Sequence, residues 1–212
     1  MNNKFKLWPF FVFVMSFVMS TAQAAFDEGI EYRTISPAVE TQSGNKIEVV
    51  EMFWYGCPHC FRLEPRMKKW LKTKPANVNF IQIPAIFNKS WELHAKAFYT
   101  AEVLGVHDKI HSALFDEIHV NKKRLGTKAA LKSFFVKHGV KASDFDNTFD
   151  SFMMNIKINR ARELGKRYGV HGVPALIVNG KYMSDGPMAS GHANLIKILD
   201  HLINLEAKSN AK

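Results

Sequence analysis

Residues 47–70 read IEVVEMFWYGCPHCFRLEPRMKKW, and they carry the strongest pattern in the 212-residue chain. The first nine residues are apolar apart from Glu48 and Glu51, and many of them are β-branched or aromatic. Such a run predicts a strand that is covered on both faces. Gly56 ends the run, and an approximate helical stripe of apolar residues follows it. The stretch therefore predicts a strand, a turn and a helix that opens on a Cys-x-x-Cys motif.

Cys57 and Cys60 are the only cysteines in the chain. A cysteine at the start of a helix meets free backbone N–H groups and the positive end of the helix dipole, and both favour the thiolate. His59 adds a donor and, when protonated, a positive charge, while Pro58 falls where its missing N–H costs nothing. We predict that Cys57 is the exposed nucleophile and Cys60 the more buried resolving thiol. Together they would form a strongly oxidising, redox-active disulfide that needs no separate cofactor.

Other uses of these residues are weaker. A purely structural disulfide would close so short a loop that it would restrict the unfolded chain very little. Cys57, His59 and Cys60 lie too close together to supply three good tetrahedral zinc ligands, and there is no second cysteine pair. His107 and His111 have i,i+4 spacing but lack the glutamate of an H-E-x-x-H motif, so we interpret them as a solvated helix face. We therefore predict no metal.

The segment WYGCPHC at 54–60 resembles the active site of the DsbA family, the periplasmic thiol:disulfide oxidoreductases of Gram-negative bacteria. The similarity continues in GVPA at 172–175 and VNGKY at 178–182, and it covers nearly the whole chain after residue 24 in order and length. It implies an α/β, thioredoxin-like fold with an inserted all-helical domain. It also implies a very low cysteine pKa and a strongly oxidising disulfide, properties for which this family is itself a well-known example.

The resemblance implies roles for three further residues. Pro174 would have a cis peptide bond and face the cysteines, although a trans loop proline is the expectation from sequence alone. The backbone of Val173 would pair with an extended substrate segment. The family has an acid at the position of Glu51, where a buried carboxyl would have a raised pKa and could pass protons to Cys60. The alternative is a strand-end glutamate that reaches water. Some members pair this acid with a lysine, but the nearest residue here is Gln82.

Residues 1–24 have the form of a cleaved secretory signal. Lys4 and Lys6 precede an apolar run of 12 residues, Leu7 to Val18, which is too short to span a bilayer. Ala22-Gln23-Ala24 is an A-x-A cleavage site, and an uncleaved membrane anchor is the alternative. The remaining chain is predicted to divide into a first thioredoxin-like part at 25–87, a helical insertion domain at 88–150 and a second thioredoxin-like part at 151–212.

Within these parts, patterning predicts the elements that surround the motif. Strands are expected within 26–36, as a short edge strand, and at 78–84, parallel to the organising strand. Helices are expected from an N-cap at Ser90, over 108–119, from Thr127 to before Gly139, after a capping box at Ser143, and over 150–168. Asn179-Gly180 predicts a type I′ hairpin turn. An amphipathic C-terminal helix is predicted from the residues Leu195, Ile196, Leu199, Leu202 and Ile203, with a frayed tail from 207.

We predict a monomeric periplasmic enzyme that donates its Cys57–Cys60 disulfide to folding exported proteins with free cysteines, through a mixed disulfide. The resemblance implies reoxidation by a DsbB-like, quinone-linked membrane oxidase. A disulfide isomerase or reductase is the closest alternative, and a peptide-binding periplasmic chaperone is another. The formal net charge of +10 does not indicate nucleic acid, because the chain looks exported and carries no recognition motif.

Overall fold

A computed structural model describes residues 26–209 as five strands and eight helices. The predicted signal at 1–24 lies outside the described residues. In chain order the elements are β1 (Arg33–Thr34), β2 (Ile47–Phe53), α1 (Pro58–Leu71), β3 (Val78–Pro84), α2 (Lys89–Val103), α3 (His107–His119), α4 (Lys128–Lys137), α5 (Ala142–Phe149), α6 (Phe152–Arg167), β4 (Ala175–Val178), β5 (Tyr182–Asp185), α7 (Gly186–Ala189) and α8 (His192–Ser209). None of the described helices is both long and apolar enough to cross a membrane.

The strands form one mixed sheet in the order β1-β5-β4-β2-β3. β2 runs parallel to β3 and antiparallel to β4, and all seven of its residues are buried. This burial agrees with the strand that is covered on both faces in the sequence prediction. The parallel pairing of β2 with β3 is also confirmed, and the chain is an α/β protein.

Two apolar clusters cover the two faces of the sheet. Val50 and Met52 of β2 pack in a large cluster with helices α2 to α6, whereas Ile47 and Val49 pack with α1 and α8. The helices α2 to α5 span 89–149 and lie in sequence between β3 and α6. They coincide with the stretch predicted as the helical insertion, although the predicted domain boundaries stay a prediction. Because the first cluster joins sheet and helices, the two have a common core.

The β4–β5 hairpin turns at Asn179 and Gly180, as predicted. Both residues have positive φ, +52° and +64°, which a type I′ turn requires. Lys181 N donates to Val178 O at 3.0 Å, which closes the turn. The first paired residues of the hairpin are Val178 and Tyr182, so β5 begins at Tyr182.

Several predicted helix starts were wrong. The N-cap of α2 is Asn88, whose side chain accepts hydrogen bonds from the backbone of Ser90 and Trp91, so Ser90 lies inside the helix. α5 begins at Ala142 without a side-chain cap, and Ser143 contacts Asp144 instead of forming a capping box. The predicted edge strand is only two residues long, α7 was not predicted, and α8 continues through the supposed frayed tail to Ser209. These details depend on one or two side-chain orientations, which periodicity does not determine.

Candidate active site

The cysteine motif lies where the chain leaves the central strand and enters the first long helix. β2 ends at Phe53 and α1 begins at Pro58, so Cys57 is the N-cap of α1, with φ −86° and ψ 117°. Its Sγ accepts a hydrogen bond from the backbone N–H of Cys60 at 3.4 Å. The sulfur therefore occupies the place of an N-capping oxygen and faces the N-terminal end of the helix dipole.

Both cysteines are free thiols, and they differ in exposure and acidity. Cys57 keeps 8% of its surface exposed and Cys60 only 1%, so the predicted order is right, although Cys57 is far less exposed than expected. The side-chain hydrogen bond from Cys60 is the largest cause that lowers the pKa of Cys57, and the pKa falls to about 6 even though burial opposes the shift. Burial and the neighbouring Cys57 sulfur raise the pKa of Cys60 well above its ordinary value. Cys57 therefore favours the thiolate, and Cys60 favours the protonated thiol.

His59 and Pro58 occupy the first turn of α1. Pro58 is the first helical residue, as predicted. The backbone N–H and the positive charge of His59 both lower the pKa of Cys57, but less than the contacts with Cys60 do. The exposed His59 ring lies 6.0 Å from the ring of His192 on α8, and its Nδ1 is 3.1 Å from Nη2 of Arg62. The mouth of the site is therefore rich in basic side chains.

The loop before β4 brings Val173 and Pro174 to the cysteines. The Cys57 thiol donates to the carbonyl oxygen of Val173 at 3.4 Å, across 116 positions of sequence. The Val173–Pro174 peptide bond is cis, as the resemblance implied. A second cis bond, between Ser36 and Pro37, was not foreseen. The structure therefore brings the two predicted loop residues, Val173 and Pro174, next to the nucleophile Cys57, and the roles of Val173 and Pro174 in substrate binding stay predictions.

A group of packed aromatic side chains flanks the motif. A Cβ on Gly56 would lie 2.3 Å from the ring of Trp54, so only glycine fits this turn without moving the indole. Trp54 stacks on Trp91 with ring centroids 4.3 Å apart, and Trp91 packs against Phe87, which is 48% exposed. Tyr55, in contrast, is a core residue at 1% exposure. Tyr55 therefore belongs to the core and not to the partly exposed aromatic group of Trp54, Trp91 and Phe87.

Glu51 is buried inside β2, with 2% of its surface exposed. The alternative of a strand-end glutamate that reaches water is therefore wrong. Glu51 lies opposite Gln82 in the parallel pairing of β2 and β3, and Gln82 Nε2 donates to its Oε2 at 2.9 Å. Burial is the main cause that raises the pKa of Glu51, to about 8. At neutral pH this carboxyl holds a proton close to the buried thiol of the pair.

The interpretation of His107 and His111 as a solvated helix face was wrong. His111 is only 5% exposed, and its Nδ1 lies 2.9 Å from the hydroxyl of Tyr55. Its Nε2 lies 3.4 Å from Oε2 of Glu64. The sequence did contain a signal, because His111 falls on the apolar side of α3 with Leu114 and Phe115, but its polarity suggested a surface position.

Glu64 was also missed. It is buried in α1 among Cys60, Leu63 and Met67. No group of three histidine, cysteine or carboxylate side chains in the described part of the chain is arranged to hold a metal ion. His111 contacts Glu64, and Gln82 lies next to both His111 and Glu51, so these side chains form one buried polar cluster.

Comparisons with known proteins identify the family of the chain. The family model described as a DSBA-like thioredoxin domain matches residues 80–202. Thiol:disulfide interchange protein DsbA of Pseudomonas syringae pv. tomato is 43% identical over 188 residues, which cover 88% of both chains. The protein of the same name from Pseudomonas aeruginosa is 38% identical over 196 residues, which cover 92% of this chain and 93% of that one.

Solved structures show the same fold. The crystal structure of Pseudomonas aeruginosa DsbA superposes with a TM-score of 0.83 at 39% identity and covers 87% of this chain and 96% of that chain. The oxidoreductase DsbA from Xylella fastidiosa superposes with a TM-score of 0.79 at 29% identity and covers 84% and 96%. The predicted α/β, thioredoxin-like architecture is thus confirmed.

Proposed function

The chain belongs to the DsbA family of thiol:disulfide interchange proteins, and we propose that Cys57 and Cys60 are the groups through which it passes a disulfide to folding exported proteins. It is a protein thiol:disulfide oxidoreductase. The observation that carries the proposed roles is the opposite protonation of the two sulfurs. Cys57, with a pKa of about 6, is a good leaving group, and Cys60 has a pKa raised well above its ordinary value.

Transfer begins when a substrate thiolate attacks Sγ of Cys57 in the oxidised enzyme. A bond forms between the substrate sulfur and Cys57, the Cys57–Cys60 bond breaks, and its electron pair goes to Cys60. Cys60 takes up a proton, for which the protonated carboxyl of Glu51 is the proposed source. A second substrate thiolate then attacks the substrate sulfur, and Cys57 leaves as a thiolate with the electron pair. The substrate gains a disulfide, and the enzyme keeps two reduced sulfurs.

The substrate segment would lie in extended conformation beside Val173 and Pro174. The support for this placement is the 3.4 Å contact between Cys57 Sγ and the Val173 carbonyl, which sets the loop backbone next to the reacting sulfur. A strand-like segment could then form main-chain hydrogen bonds with this loop. His59 and Pro58 would tune the site from the first turn of α1, and we propose no metal or cofactor.

Each transfer leaves the enzyme reduced, so the cycle requires an oxidant. We propose a DsbB-like, quinone-linked membrane oxidase, in line with the family resemblance, and a periplasmic location for a monomeric enzyme after removal of residues 1–24. Folding exported proteins with free cysteines would be the substrates. The family resemblance suggests these partners. The chemistry supports the need for an oxidant, since a thiolate-stabilised pair accepts electrons readily and must pass them to a stronger acceptor.

The test of the cysteine roles uses two single variants with a reduced, unfolded substrate protein. Cys57→Ala should abolish disulfide transfer, because no nucleophilic or leaving sulfur remains at the N-cap. Cys60→Ala cannot form the Cys57–Cys60 disulfide, so its Cys57 is first converted to a mixed disulfide with oxidised glutathione. Exchange with a substrate thiolate then releases glutathione and should accumulate the Cys57–substrate mixed disulfide, because no Cys60 thiolate is present to displace the substrate. The measurement is non-reducing electrophoresis after acid quenching. Normal transfer by Cys57→Ala would disprove the assignment.

Two controls separate the rival functions. The equilibrium of the cysteine pair with a glutathione buffer should lie far above the thioredoxin range, which is about −270 mV. A thioredoxin-like potential would favour a reductase or isomerase instead. Rescue of substrate folding by the Cys57→Ser, Cys60→Ser double variant would favour a peptide-binding chaperone.

A further inference from the structure

A buried polar cluster lies behind the cysteine pair, and disulfide exchange as described above uses only one of its members. Glu51 of β2, Glu64 of α1 and His111 of α3 are 2%, 8% and 5% exposed. Three titratable side chains from three different elements are rarely buried together unless they stabilise one another. Gln82 and Tyr55 complete the cluster.

The contacts within the cluster indicate which groups donate hydrogen bonds and which accept them. Tyr55 lies 2.9 Å from Nδ1 of His111, and Nε2 of the same ring lies 3.4 Å from Oε2 of Glu64. With the Tyr55 hydroxyl donating to Nδ1, Nε2 carries a proton and donates to Glu64. Gln82 Nε2 donates to Glu51 at 2.9 Å and lies 3.3 Å from Nε2 of His111. Both of these nitrogens carry N–H groups in this arrangement, so they pack together without a hydrogen bond, and the imidazole and the amide lie side by side between Glu64 and Glu51.

The cluster also reaches solvent on its own side. A cavity of about 300 Å³ is lined by Glu64, Gln82, His107 and His111, together with neighbouring residues of α1 and α3. None of the residues 57–60 lines this cavity. The cluster can thus exchange protons with water without using the mouth where substrate binds.

The two carboxyl groups are driven in opposite directions. Burial opposes ionisation of Glu64, but the hydrogen bond from His111, with help from Lys68, lowers the pKa of Glu64 overall. Burial raises the pKa of Glu51, the hydrogen bond from Gln82 partly offsets this, and the negative charge of Glu64 raises it further, to about 8. Pairs of acids whose environments separate them in this way commonly divide charge-holding from proton-carrying roles.

We propose that Glu64, kept ionised by His111, holds Glu51 in its protonated form, and that Glu51 gives this proton to Cys60 when the disulfide opens. Glu64 and His111 are then positioning residues, because neither touches a reacting sulfur. The proposal rests on the proposed function, since it concerns how the proton of that same reaction is kept available.

The step balances as follows. A substrate thiolate forms a bond with Cys57, the Cys57–Cys60 bond breaks, and Cys60 receives the electron pair. The Glu51 proton moves to Cys60, which leaves a thiol and a carboxylate. The Glu51 carboxylate then regains a proton from water, and its hydrogen-bond partner Gln82 lines the cavity through which water can approach. Glu64 stays an anion throughout and acts only through its charge.

The charged and titratable groups around Glu51 come from every element packed against it. Cys60 and Glu64 of α1 interact with Glu51 itself. Lys68 of α1, His107 and His111 of α3, and Tyr55 interact with Glu64 in turn. β3 contributes the neutral Gln82 and β4 the apolar Leu176, which lies opposite Glu51. Among these groups the Glu64 charge is the one that raises the pKa of Glu51.

The test compares Glu64→Gln with the wild-type enzyme in single-turnover reaction of the oxidised protein with excess cysteine peptide. The ratio of the two rates at each pH cancels the titration of the peptide thiol. The rate declines at the pH where Glu51 loses its proton. Without the Glu64 charge, this decline should occur about one pH unit lower. This corresponds to roughly fivefold slower reaction at pH 8 and almost no loss at pH 6.

His111→Asn gives a second variant with a distinctive sign. Without the imidazole donor Glu64 loses its ionised form, so the rate ratio should again fall as pH rises. If His111 instead acted directly on Glu51 as a cation, its loss would favour the protonated Glu51 and the ratio would rise with pH, which would overturn the proposal. Glu163→Gln, which removes an exposed acid of α6, is the matched control and should give a flat ratio.

Two further results separate this proposal from the proposed function. Glu51→Gln should be slow at every pH, and adding Glu64→Gln to it should change nothing more. If Glu51→Gln reacts at the wild-type rate, the proton role of Glu51 itself fails. If Glu51→Gln is slow but Glu64→Gln and His111→Asn give flat ratios, only the positioning role fails.

An NMR titration of the carboxyl carbons in the wild-type protein tests the order of the two pKa values without any variant. A higher pKa for Glu64 than for Glu51 would also overturn the proposal.

Discussion

At the scale of single residues, the acidity of Cys57 is distributed over contacts of different strength. The side-chain hydrogen bond from Cys60 lowers its pKa most, and the backbone and charge of His59 contribute less. The resolving thiol is thus also the main stabiliser of the nucleophile.

The titration of Cys57 should therefore respond more to Cys60→Ala than to His59→Ala. Both variants should raise the pKa of Cys57 above 6, because each removes a group that favours the thiolate. The measurement is the ultraviolet absorbance of the thiolate against pH in reduced protein, with Cys57→Ala as the blank. A larger increase in His59→Ala would mean that the imidazole, and not the Cys60 thiol, sets the acidity.

The same shift predicts how stability depends on pH. The pKa of Cys57 is lower in the folded reduced protein than in the unfolded chain, so ionisation favours the folded state. This contribution is complete above the ordinary thiol range and is lost as pH falls through about 6. Cys60 stays protonated across this window because its own pKa is raised.

At the scale of elements, the hairpin of β4 and β5 carries the loop residues to the cysteines. β4 pairs antiparallel with β2 and directly follows Pro174, so its register decides where Val173 lies. The turn that closes the hairpin packs against the segment before β2, since Val39 N donates to Gly180 O at 2.9 Å. The turn therefore contributes to fold and site together.

Gly180→Ala should destabilise the protein by at least ~2 kcal/mol, because alanine is disfavoured at positive φ and its Cβ would clash with backbone. The φ of Gly180 is +64°, and an added Cβ would lie 1.9 Å from the carbonyl oxygen of Val39. Gly186→Ala is the matched control, since no atom lies within 4 Å of its Cβ position. The measurement is urea unfolding, and equal stability of the two variants would contradict the close approach.

At the scale of the whole molecule, one core joins the sheet to the helical block. Phe53 of β2 packs edge-on against Phe98 of α2 at 5.4 Å and lies 6.0 Å from the ring of Phe115 of α3. Arg162 of α6 also bonds Glu92 of α2 at 2.5 Å. Because these contacts cross between the predicted parts of the chain, we expect the parts to unfold together.

Phe53→Ala should lower the free energy of unfolding by about 3–5 kcal/mol and leave a single transition. Phe53 is 1% exposed, whereas Phe152 is 77% exposed, so Phe152→Ala should change stability by less than about 0.5 kcal/mol. Circular dichroism gives the overall transition, and hydrogen exchange resolves residues 47–53 from 89–149. Separate unfolding of these two regions would show that the helical block is an independent unit.

The sequence by itself determined the features that depend on neighbours in the chain. Apolar patterning predicted β2, β3 and most helices, the Asn179-Gly180 pair predicted its turn, and the spacing of the cysteines predicted which sulfur is more buried. Helix starts were less predictable, because Asn88 and Ser90 are both good capping residues and only the backbone direction decides between them.

Only the tertiary structure decided which residues surround the cysteines. The contact between Cys57 and Val173 joins positions 116 residues apart, and that between Tyr55 and His111 joins positions 56 apart. No local sequence pattern indicates a contact between residues so far apart in the chain, so His111 could be mistaken for a surface residue. Its burial, and the protonation of Glu51 and Glu64, follow from the packing of α1 and α3 on the sheet, which removes water from these groups and makes each charge depend on the others.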